Sequence, residues 1–223
     1  MTIPFQIVGF DLDGTLLDTS RDLGAAVNHA LARIDRAPVP LEQVSGLIGG
    51  GARLMLSRAL TLTGGDAGID QEALFGDLLA FYEANIAVHT ALYPGGAAML
   101  DALAAAGVKI AVVTNKRQHM TDKLFAELSL TDRFACVIGA GTYPLKPAPD
   151  ALYAMVERCG GGRAAFVGDT TFDTGAARAA GLPSIAVSFG FCDAPPHKLG
   201  ADAVIDHFDE LVPALRRFAA QPV

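Results

Sequence analysis

Hydrophobic residues occur along this chain in short runs that alternate with stretches of helical periodicity. The runs are rich in Val, Ile, Ala and Phe and are bounded by polar or turn residues, so each predicts a buried strand. Near-continuous apolar strands separated by helices are typical of a parallel sheet that is covered on both faces, so an α/β core is expected. Strands are predicted at 6–10, 108–114, 136–139, 165–168, 184–189 and 203–205, and helices at 96–106, 120–128, 150–159, 174–180 and 208–218.

One segment, from about residue 18 to residue 92, interrupts this alternation. Its apolar positions repeat at the period of helices with one buried face, and no strand is expected in it. Thr19 followed by Asp22 predicts a capping box at the start of its first helix. We therefore expect a helical domain of residues 18–92, inserted into an α/β domain formed by 1–17 and 93–223. The apolar positions are Leu23, Val27, Ala30, Leu31 and Ile34 in one stretch and Leu74, Leu78, Tyr82 and Ile86 in another.

Composition and charge narrow the range of functions. Hydrophobic residues make up 51% of the 223-residue chain and charged residues 18%, which is enough apolar material for a sizeable core. The formal net charge of −7 argues against binding to nucleic acid or to an anionic membrane surface. No apolar run is long enough to span a membrane, and the first residues lack the features of a secretory signal, so a cytoplasmic location is expected. An acidic chain that binds an anionic ligand needs a local positive centre.

Two carboxylates, Asp11 and Asp13, come directly after the first predicted strand. Strands disfavour Asp, and two carboxylates ~4 Å apart repel each other by ~4 kcal/mol at an effective dielectric constant of about 20. A metal ion would remove that repulsion by collecting both groups. An ordinary turn built from Asp and Gly is an equally good interpretation of this segment taken alone.

A second acidic pair changes that balance, because Asp169 ends the fourth predicted strand and Asp173 follows four residues later. Ligand sites in open parallel sheets lie beyond the carboxyl ends of the strands. If the first and fourth strands are neighbours, Asp169 lies beside Asp11. Carboxylates, carbonyl groups and water at this edge would make an oxygen-rich site for Mg²⁺. Asp173 would also fall at the start of the next helix, where an N-cap role is the alternative.

The positive centre is predicted at the two remaining strand ends. Thr114 closes the second strand with a hydroxyl group, and the turn after it offers backbone amides that hold phosphate oxygens. Lys146 is one of five lysines in the chain and follows the third strand, in a loop that Pro147 and Pro149 make rigid. The alternative is that Lys146 is an ordinary solvated lysine of a surface loop.

The chain carries four segments that resemble the four motifs of the haloacid dehalogenase superfamily of phosphatases: DLDGT at 11–15, VVTN at 112–115, LKPAPD at 145–150 and GDTTFD at 168–173. Any one of them would be a weak signal, but all four occur in order and each follows a predicted strand. The helical insert resembles the helical cap of that superfamily. The resemblance implies a Rossmann-like parallel-sheet core (HAD-like) with an inserted α-helical cap domain.

The same resemblance implies a role for each motif residue. Asp11 would attack phosphorus and form an aspartyl-phosphate, and Asp13 would protonate the leaving alcohol and then activate water. Thr114 and Lys146 would hold the transferring phosphoryl group and offset its charge. Mg²⁺ would be bound by the carboxylates of Asp11 and Asp169 and by the backbone carbonyl of Asp13. The supporting positions would be Gly14, Thr15, Gly168 and Asp173.

Within the superfamily, the details favour the phosphoglycolate phosphatases. The segments LYPG at 92–95 and TNK at 114–116 resemble that family, as does a glycine-containing cap loop at 48–53. Substrate contacts are expected from Asn115, Lys116 and Arg53, although a solvated charge on a helix is an equally good interpretation of Arg53. The expected ligand is a small phosphorylated metabolite, and the expected assembly is a monomer or a homodimer.

Two alternatives stay open. A related branch of the superfamily acts on N-acetylmuramic acid 6-phosphate and shares several of these features. The other alternative is a catalytically silent regulatory protein on the same scaffold. Such a protein would be expected to lose one of Asp11, Asp13, Lys146 or Asp169, and none is lost here.

Overall fold

A six-stranded sheet forms the centre of the structure, a computed structural model that describes residues 2–218. Its strands are β1 (Ile7–Phe10), β4 (Lys109–Arg117), β5 (Cys136–Ala140), β6 (Ala164–Gly168), β7 (Ser184–Val187) and β8 (Ala203–Ile205). Their order across the sheet is β5-β4-β1-β6-β7-β8, and every neighbouring pair is parallel. The α/β fold predicted from the alternation of strands and helices is therefore confirmed.

Apolar side chains cover the two faces of this sheet separately. Successive side chains of a strand point to opposite faces, so Ile7 and Val8 of β1 belong to two different buried clusters. All four residues of β1 and all five of β6 are buried, which is why both strands appear in the sequence as unbroken apolar runs.

Nine α-helices occur within residues 2–218, of which the first four belong to the insert and the other five to the α/β part. The helix predicted to begin at residue 174 begins at Thr171 instead, because Thr170 caps it. No described helix is both long and apolar enough to cross a membrane. The helices are α1 (Ser20–Ala32), α2 (Leu41–Val44), α3 (Ala52–Leu62), α4 (Gln71–Ala84), α5 (Gly96–Ala105), α6 (Gln118–Glu127), α7 (Asp150–Arg158), α8 (Thr171–Ala179) and α9 (Leu211–Arg217).

The expectation that no strand occurs between residues 18 and 92 is wrong at both ends of that segment. β2 (Leu17–Asp18) and β3 (Ala91–Leu92) form a two-stranded antiparallel ribbon where the chain leaves the core and where it returns. Two-residue strands have no periodicity to detect, and this pairing joins positions far apart in the sequence. The division into a core of 1–17 and 93–223 and a cap of 18–92 stays a prediction, and residues 1 and 219–223 lie outside the described residues.

The predicted capping box of Thr19 and Asp22 is also wrong. The Thr19 hydroxyl makes no hydrogen bond within the described part of the chain. Asp22 is buried and accepts hydrogen bonds from the backbone N–H of His89 (3.0 Å) and of Thr90 (2.9 Å) and from the Thr90 hydroxyl (2.7 Å). The carboxylate therefore joins the start of α1 to the chain that returns to the core, a long-range partner that the local spacing could not indicate.

Candidate active site

The carboxyl ends of the three central strands bring the predicted site residues together. Asp11 follows β1 and Asp169 follows β6, and these strands are neighbours in the sheet, as the sequence suggested. The backbone N–H of Asp11 donates to the carbonyl of Val167 at 2.8 Å, so the pairing continues to the point where the carboxylates begin. Thr114 lies in β4 on the other side of β1 and is buried. This edge of the sheet forms the floor of the site.

Three carboxylates cluster on this floor, and two of them contact one lysine. Asp11, Asp169 and Asp173 each offer an oxygen within 4.8 Å of the others. Lys146 Nζ lies 2.7 Å from Asp11 Oδ1 and 2.7 Å from Asp173 Oδ1, and it donates to the Val113 carbonyl at 2.9 Å. Lys146 is only 4% exposed, so the alternative of a solvated loop lysine is wrong.

The loop that carries Lys146 is fixed by Asn115. The Asn115 side chain donates to the Lys146 carbonyl (3.1 Å) and accepts from the Lys146 N–H (2.9 Å). Both ends of this amide are thus used to join β4 to the loop, which makes Asn115 a residue that positions Lys146. The Thr114 hydroxyl accepts from the backbone N–H of Lys116 at 3.2 Å and keeps its own O–H for another acceptor.

Asp169 is held by two donors, one on each oxygen. The Thr15 hydroxyl donates to Oδ1 at 2.7 Å, and the backbone N–H of Phe191 donates to Oδ2 at 2.8 Å. Gly14 has a φ of 86° and packs so closely against Asp169 that a Cβ at this position would overlap the carboxylate. The predicted supporting positions Gly14 and Thr15 therefore both contact the carboxylate of the neighbouring strand.

Asp173 closes the cluster from the first turn of α8. It is the third helical residue and not the N-cap, which is Thr170, and the two form a capping box. Asp173 Oδ2 accepts from the Thr170 N–H (2.9 Å), the Thr170 hydroxyl (2.6 Å) and the Asp169 N–H (3.2 Å). A Cβ on Gly168 would overlap the Asp173 side chain, so only glycine allows this approach. With Oδ1 on Lys146, Asp173 has a partner on each oxygen and serves to hold that lysine.

The carboxylates of this cluster are buried with too little positive charge beside them, and this raises the pKa of two of them. Burial raises the pKa of Asp11 to about 7, against the opposing effect of Lys146. Burial, followed by the charges of Asp173 and Asp11, raises the pKa of Asp169 well above its usual value. For Lys146, burial alone would lower the pKa, but Asp11 and Asp173 outweigh it and the net shift is upward. One lysine therefore does not balance three carboxylates.

A divalent cation fits this arrangement. Three buried side-chain oxygens or nitrogens in residues 2–218 lack a hydrogen-bond partner, and two of them are Asp11 Oδ1 and Asp13 Oδ1. Asp11 Oδ1 has the Lys146 ammonium 2.7 Å away, so the stronger support for a cation is that Asp11, Asp169 and Asp173 each offer an oxygen within 4.8 Å of the others. Hard oxygen ligands with excess negative charge are what Mg²⁺ selects. The donor set therefore suits the metal that the sequence predicted.

A cavity of about 240 Å³ lies between this polar floor and the helical insert. The insert contributes mainly apolar side chains to it, together with the charged Arg53, whereas the sheet edge contributes the other charged side chains. The apolar wall includes Leu23, Ile48, Met55, Phe75, Leu78 and Leu79, and the three consecutive glycines of the loop, Gly49, Gly50 and Gly51, complete it.

Lys116 lies in the cavity between the floor and the insert. Its Nζ is 2.9 Å from Asp13 Oδ2 and donates to the Tyr82 hydroxyl at 2.8 Å. Burial alone would lower the pKa of Lys116, but Asp13 and Tyr82 outweigh it and raise the pKa. The sequence predicted Tyr82 only as an apolar position of the insert. The signal for a polar role was the single hydroxyl among aliphatic residues on that face, because a buried tyrosine hydroxyl requires a partner.

Arg53 lines the outer part of the cavity, but its side chain is 61% exposed and already has a partner. Its guanidinium binds both oxygens of Glu72, at 2.5 and 2.9 Å, and lies 4.2 Å from the centre of the Phe75 ring. The guanidinium of Arg117, to which no motif or spacing in the sequence pointed, lies 5.6 Å from the same ring.

Comparison with known proteins agrees with this geometry. Residues 8–187 match the family described as haloacid dehalogenase-like hydrolase. The chain is 40% identical over 211 residues to a phosphoglycolate phosphatase of Agrobacterium fabrum, covering 92% of this chain and 90% of the relative. It is 39% identical over 205 residues to a phosphoglycolate phosphatase of Caulobacter vibrioides, covering 90% and 86%. The crystal structure of a predicted phosphoglycolate phosphatase from Haemophilus somnus is similar, with a TM-score of 0.87, 28% identity and coverage of 95% and 98%.

Proposed function

The chain belongs to the haloacid dehalogenase-like hydrolases, and we propose that it hydrolyses 2-phosphoglycolate to glycolate and inorganic phosphate. It is a phosphatase, as its relatives are. The observation that carries the proposed chemistry is the position of Lys146, buried between Asp11 and Asp173 at the floor of the cavity. The choice of substrate is supported by the relatives of 39–40% identity that carry this activity in their names.

The proposed reaction has two steps. A carboxylate oxygen of Asp11 attacks phosphorus, the bond from phosphorus to the ester oxygen breaks, and Asp13 gives a proton to the departing glycolate oxygen. Asp13 then takes a proton from water as the water oxygen attacks phosphorus, which releases inorganic phosphate and restores Asp11. Lys146 orients Asp11 in both steps, and Lys146 and Thr114 hold the phosphoryl oxygens.

Mg²⁺ is the proposed cofactor. The carboxylates of Asp11 and Asp169 and the backbone carbonyl of Asp13 would hold it, and Thr15 and Phe191 would keep Asp169 in place for it. When bound, the ion would supply the positive charge that the carboxylates and the phosphoryl oxygens together require.

The carboxylate of phosphoglycolate needs a cation close to Asp13. Its carbon lies two bonds from the ester oxygen that Asp13 protonates, so the cation must be near that acid. Lys116 Nζ is 2.9 Å from Asp13 Oδ2, and two of its three N–H donors are accounted for in the described residues, by Asp13 and Tyr82. Lys116 is therefore the inner partner that we propose for the carboxylate. Arg53 would have to exchange Glu72 for the substrate.

A panel of phosphomonoesters tests the proposed function. In Mg²⁺, purified enzyme should show its highest kcat/KM on 2-phosphoglycolate, with p-nitrophenyl phosphate and N-acetylmuramic acid 6-phosphate as comparison substrates. A preference for the bulky sugar phosphate would overturn the substrate while leaving the chemistry intact. Absence of turnover on every substrate would instead support the silent regulatory protein. The monomer or homodimer state and the cytoplasmic location stay predictions.

A further inference from the structure

The Asp13 carboxylate has a single side-chain partner in residues 2–218. Its Oδ2 contacts Lys116 Nζ, and its Oδ1 is buried without a hydrogen bond. The direction in which this carboxylate points is therefore set by where the Lys116 ammonium lies. That position matters only if Asp13 transfers protons, so the following inference rests on the proposed function.

Lys116 is in turn held from the opposite side by the insert. Tyr82 lies in α4, is 2% exposed, and accepts a hydrogen bond from Lys116 Nζ at 2.8 Å. Its ring belongs to the same buried apolar cluster as Leu78, and Lys116 Nζ lies 4.6 Å from the ring centre, so phenylalanine would keep the packing and the contact of the ammonium with the ring. The hydrogen bond of the hydroxyl is what phenylalanine would not reproduce.

We propose that Tyr82 is a positioning residue for phosphoryl transfer. By accepting a hydrogen bond from Lys116, it holds the Lys116 ammonium beside Asp13, and the ammonium in turn orients the Asp13 carboxyl group that donates the proton. The contact joins α4 of the insert to β4 of the sheet. Asp13 is therefore held fully only when the insert lies against the sheet edge. Closure of the insert thus orients the acid as well as enclosing the substrate.

Tyr82→Phe removes the hydrogen bond and keeps the ring, so it tests this inference. Departure of an alkoxide requires a proton, whereas p-nitrophenolate leaves without one. The variant should therefore lose about 10-fold in kcat/KM on phosphoglycolate and on ethyl phosphate, which has no carboxylate, the size expected for one charged hydrogen bond. Its kcat/KM on p-nitrophenyl phosphate should change by less than about 2-fold. Tyr153→Phe, which removes an exposed hydroxyl bonded to the Ala179 carbonyl, is the matched control.

A double-mutant cycle with Lys116→Met separates this role from packing. If Tyr82 acts through Lys116, Tyr82→Phe should lower kcat/KM by less than about 2-fold further in the Lys116→Met background. Fully additive losses, an equal loss on all three esters, or no loss at all would each overturn the role of Tyr82. Wild-type enzyme without turnover of any ester would overturn the proposed function itself, and this inference with it.

Discussion

Among single residues, Asp169 shows most directly how a neutral side chain can fix the orientation of a charged one. The neutral side chain is that of Thr15, which donates a hydrogen bond to the Asp169 carboxylate. Thr15 and Asp169 are 154 positions apart in the sequence, yet the hydroxyl lies 2.7 Å from Oδ1. The other oxygen is held by a backbone N–H that substitution cannot remove. Thr15 is therefore the side chain through which the orientation of Asp169 can be changed without changing its charge.

Thr15→Ala should weaken Mg²⁺ binding by about 10–100-fold, because a freed Asp169 carboxylate must be ordered again at each binding event. Calorimetric titration of the purified protein with Mg²⁺ measures this effect without turnover. Thr15→Ser should restore most of the affinity, and Thr61→Ala, on the exposed side of α3, is the control. Unchanged affinity in Thr15→Ala would show that the Thr15 hydroxyl does not position a metal-binding carboxylate.

Arg53→Ala should lower kcat/KM on phosphoglycolate by about 10-fold and leave p-nitrophenyl phosphate nearly unchanged, because only the first substrate has a carboxylate to bind. Glu72→Gln should raise kcat/KM on phosphoglycolate, because Glu72 competes with the substrate carboxylate for the Arg53 guanidinium. Steady-state kinetics on both esters provides the comparison. Equal losses on the two esters in Arg53→Ala would assign Arg53 to the structure of the insert and not to recognition.

The residues that carry charge could be predicted from the sequence, but their partners could not. Asp11, Lys146 and Asp169 stand out because a charged residue directly after an apolar strand has few structural reasons to be there. The use of Asn115 to hold a loop and of Tyr82 to hold a lysine depends on which loops and helices meet in space. No local spacing contains that information.

At the level of secondary-structure elements, the buried carboxylate of Asp22 stabilises the connection between the insert and the core. Asp22, in the first turn of α1, binds the backbone N–H groups of His89 and Thr90 just before β3. The pairing of β2 with β3 continues the same junction. The strand periodicity predicted the long elements of the sheet well, whereas this short junction is produced by tertiary contacts.

Asp22→Ala should destabilise the protein by about 2–4 kcal/mol, because two backbone N–H groups and a hydroxyl would lose their acceptor in a buried place. Urea denaturation followed by circular dichroism gives the free energy of unfolding. Asp77→Ala, which removes an exposed ion pair with Arg33 in the same insert, should cost less than about 1 kcal/mol. Similar losses in the two variants would contradict the anchoring role of Asp22.

For the whole molecule, the question is how an acidic protein binds an anionic substrate. Positive charge is concentrated at one edge of the sheet. The chain has a net charge of −7, but two buried lysines face the cavity, and a metal ion would add to them. The fold brings these charges together because β4 and β5, which are neighbours in a parallel sheet, have their carboxyl ends at the same edge. Because four aspartates line the same site as these two lysines, binding of an anionic substrate there would depend on the metal ion.

Removal of divalent metal should abolish turnover, and added Mg²⁺ should restore it, because Lys146 alone does not balance three carboxylates and a phosphoryl group. Calcium should inhibit, since its larger and looser coordination shell would misplace the reacting atoms. Assays of p-nitrophenyl phosphate hydrolysis after chelation, with each metal added back, measure both effects. Full activity in excess chelator would contradict the metal assignment.

The central claim is that Asp11 becomes covalently phosphorylated by phosphoglycolate. The enzyme is quenched in acid during turnover and then treated with borohydride, which reduces an aspartyl-phosphate to homoserine. Fragment mass spectrometry then locates the homoserine in the sequence. We expect homoserine at position 11 in the wild-type enzyme and none in Asp11→Asn. With p-nitrophenyl phosphate, whose leaving group needs no proton, Asp13→Asn should give a larger amount of homoserine, because hydrolysis of the intermediate lacks its base. Homoserine at position 13 or 169, or turnover of phosphoglycolate by Asp11→Asn at the wild-type rate, would contradict it.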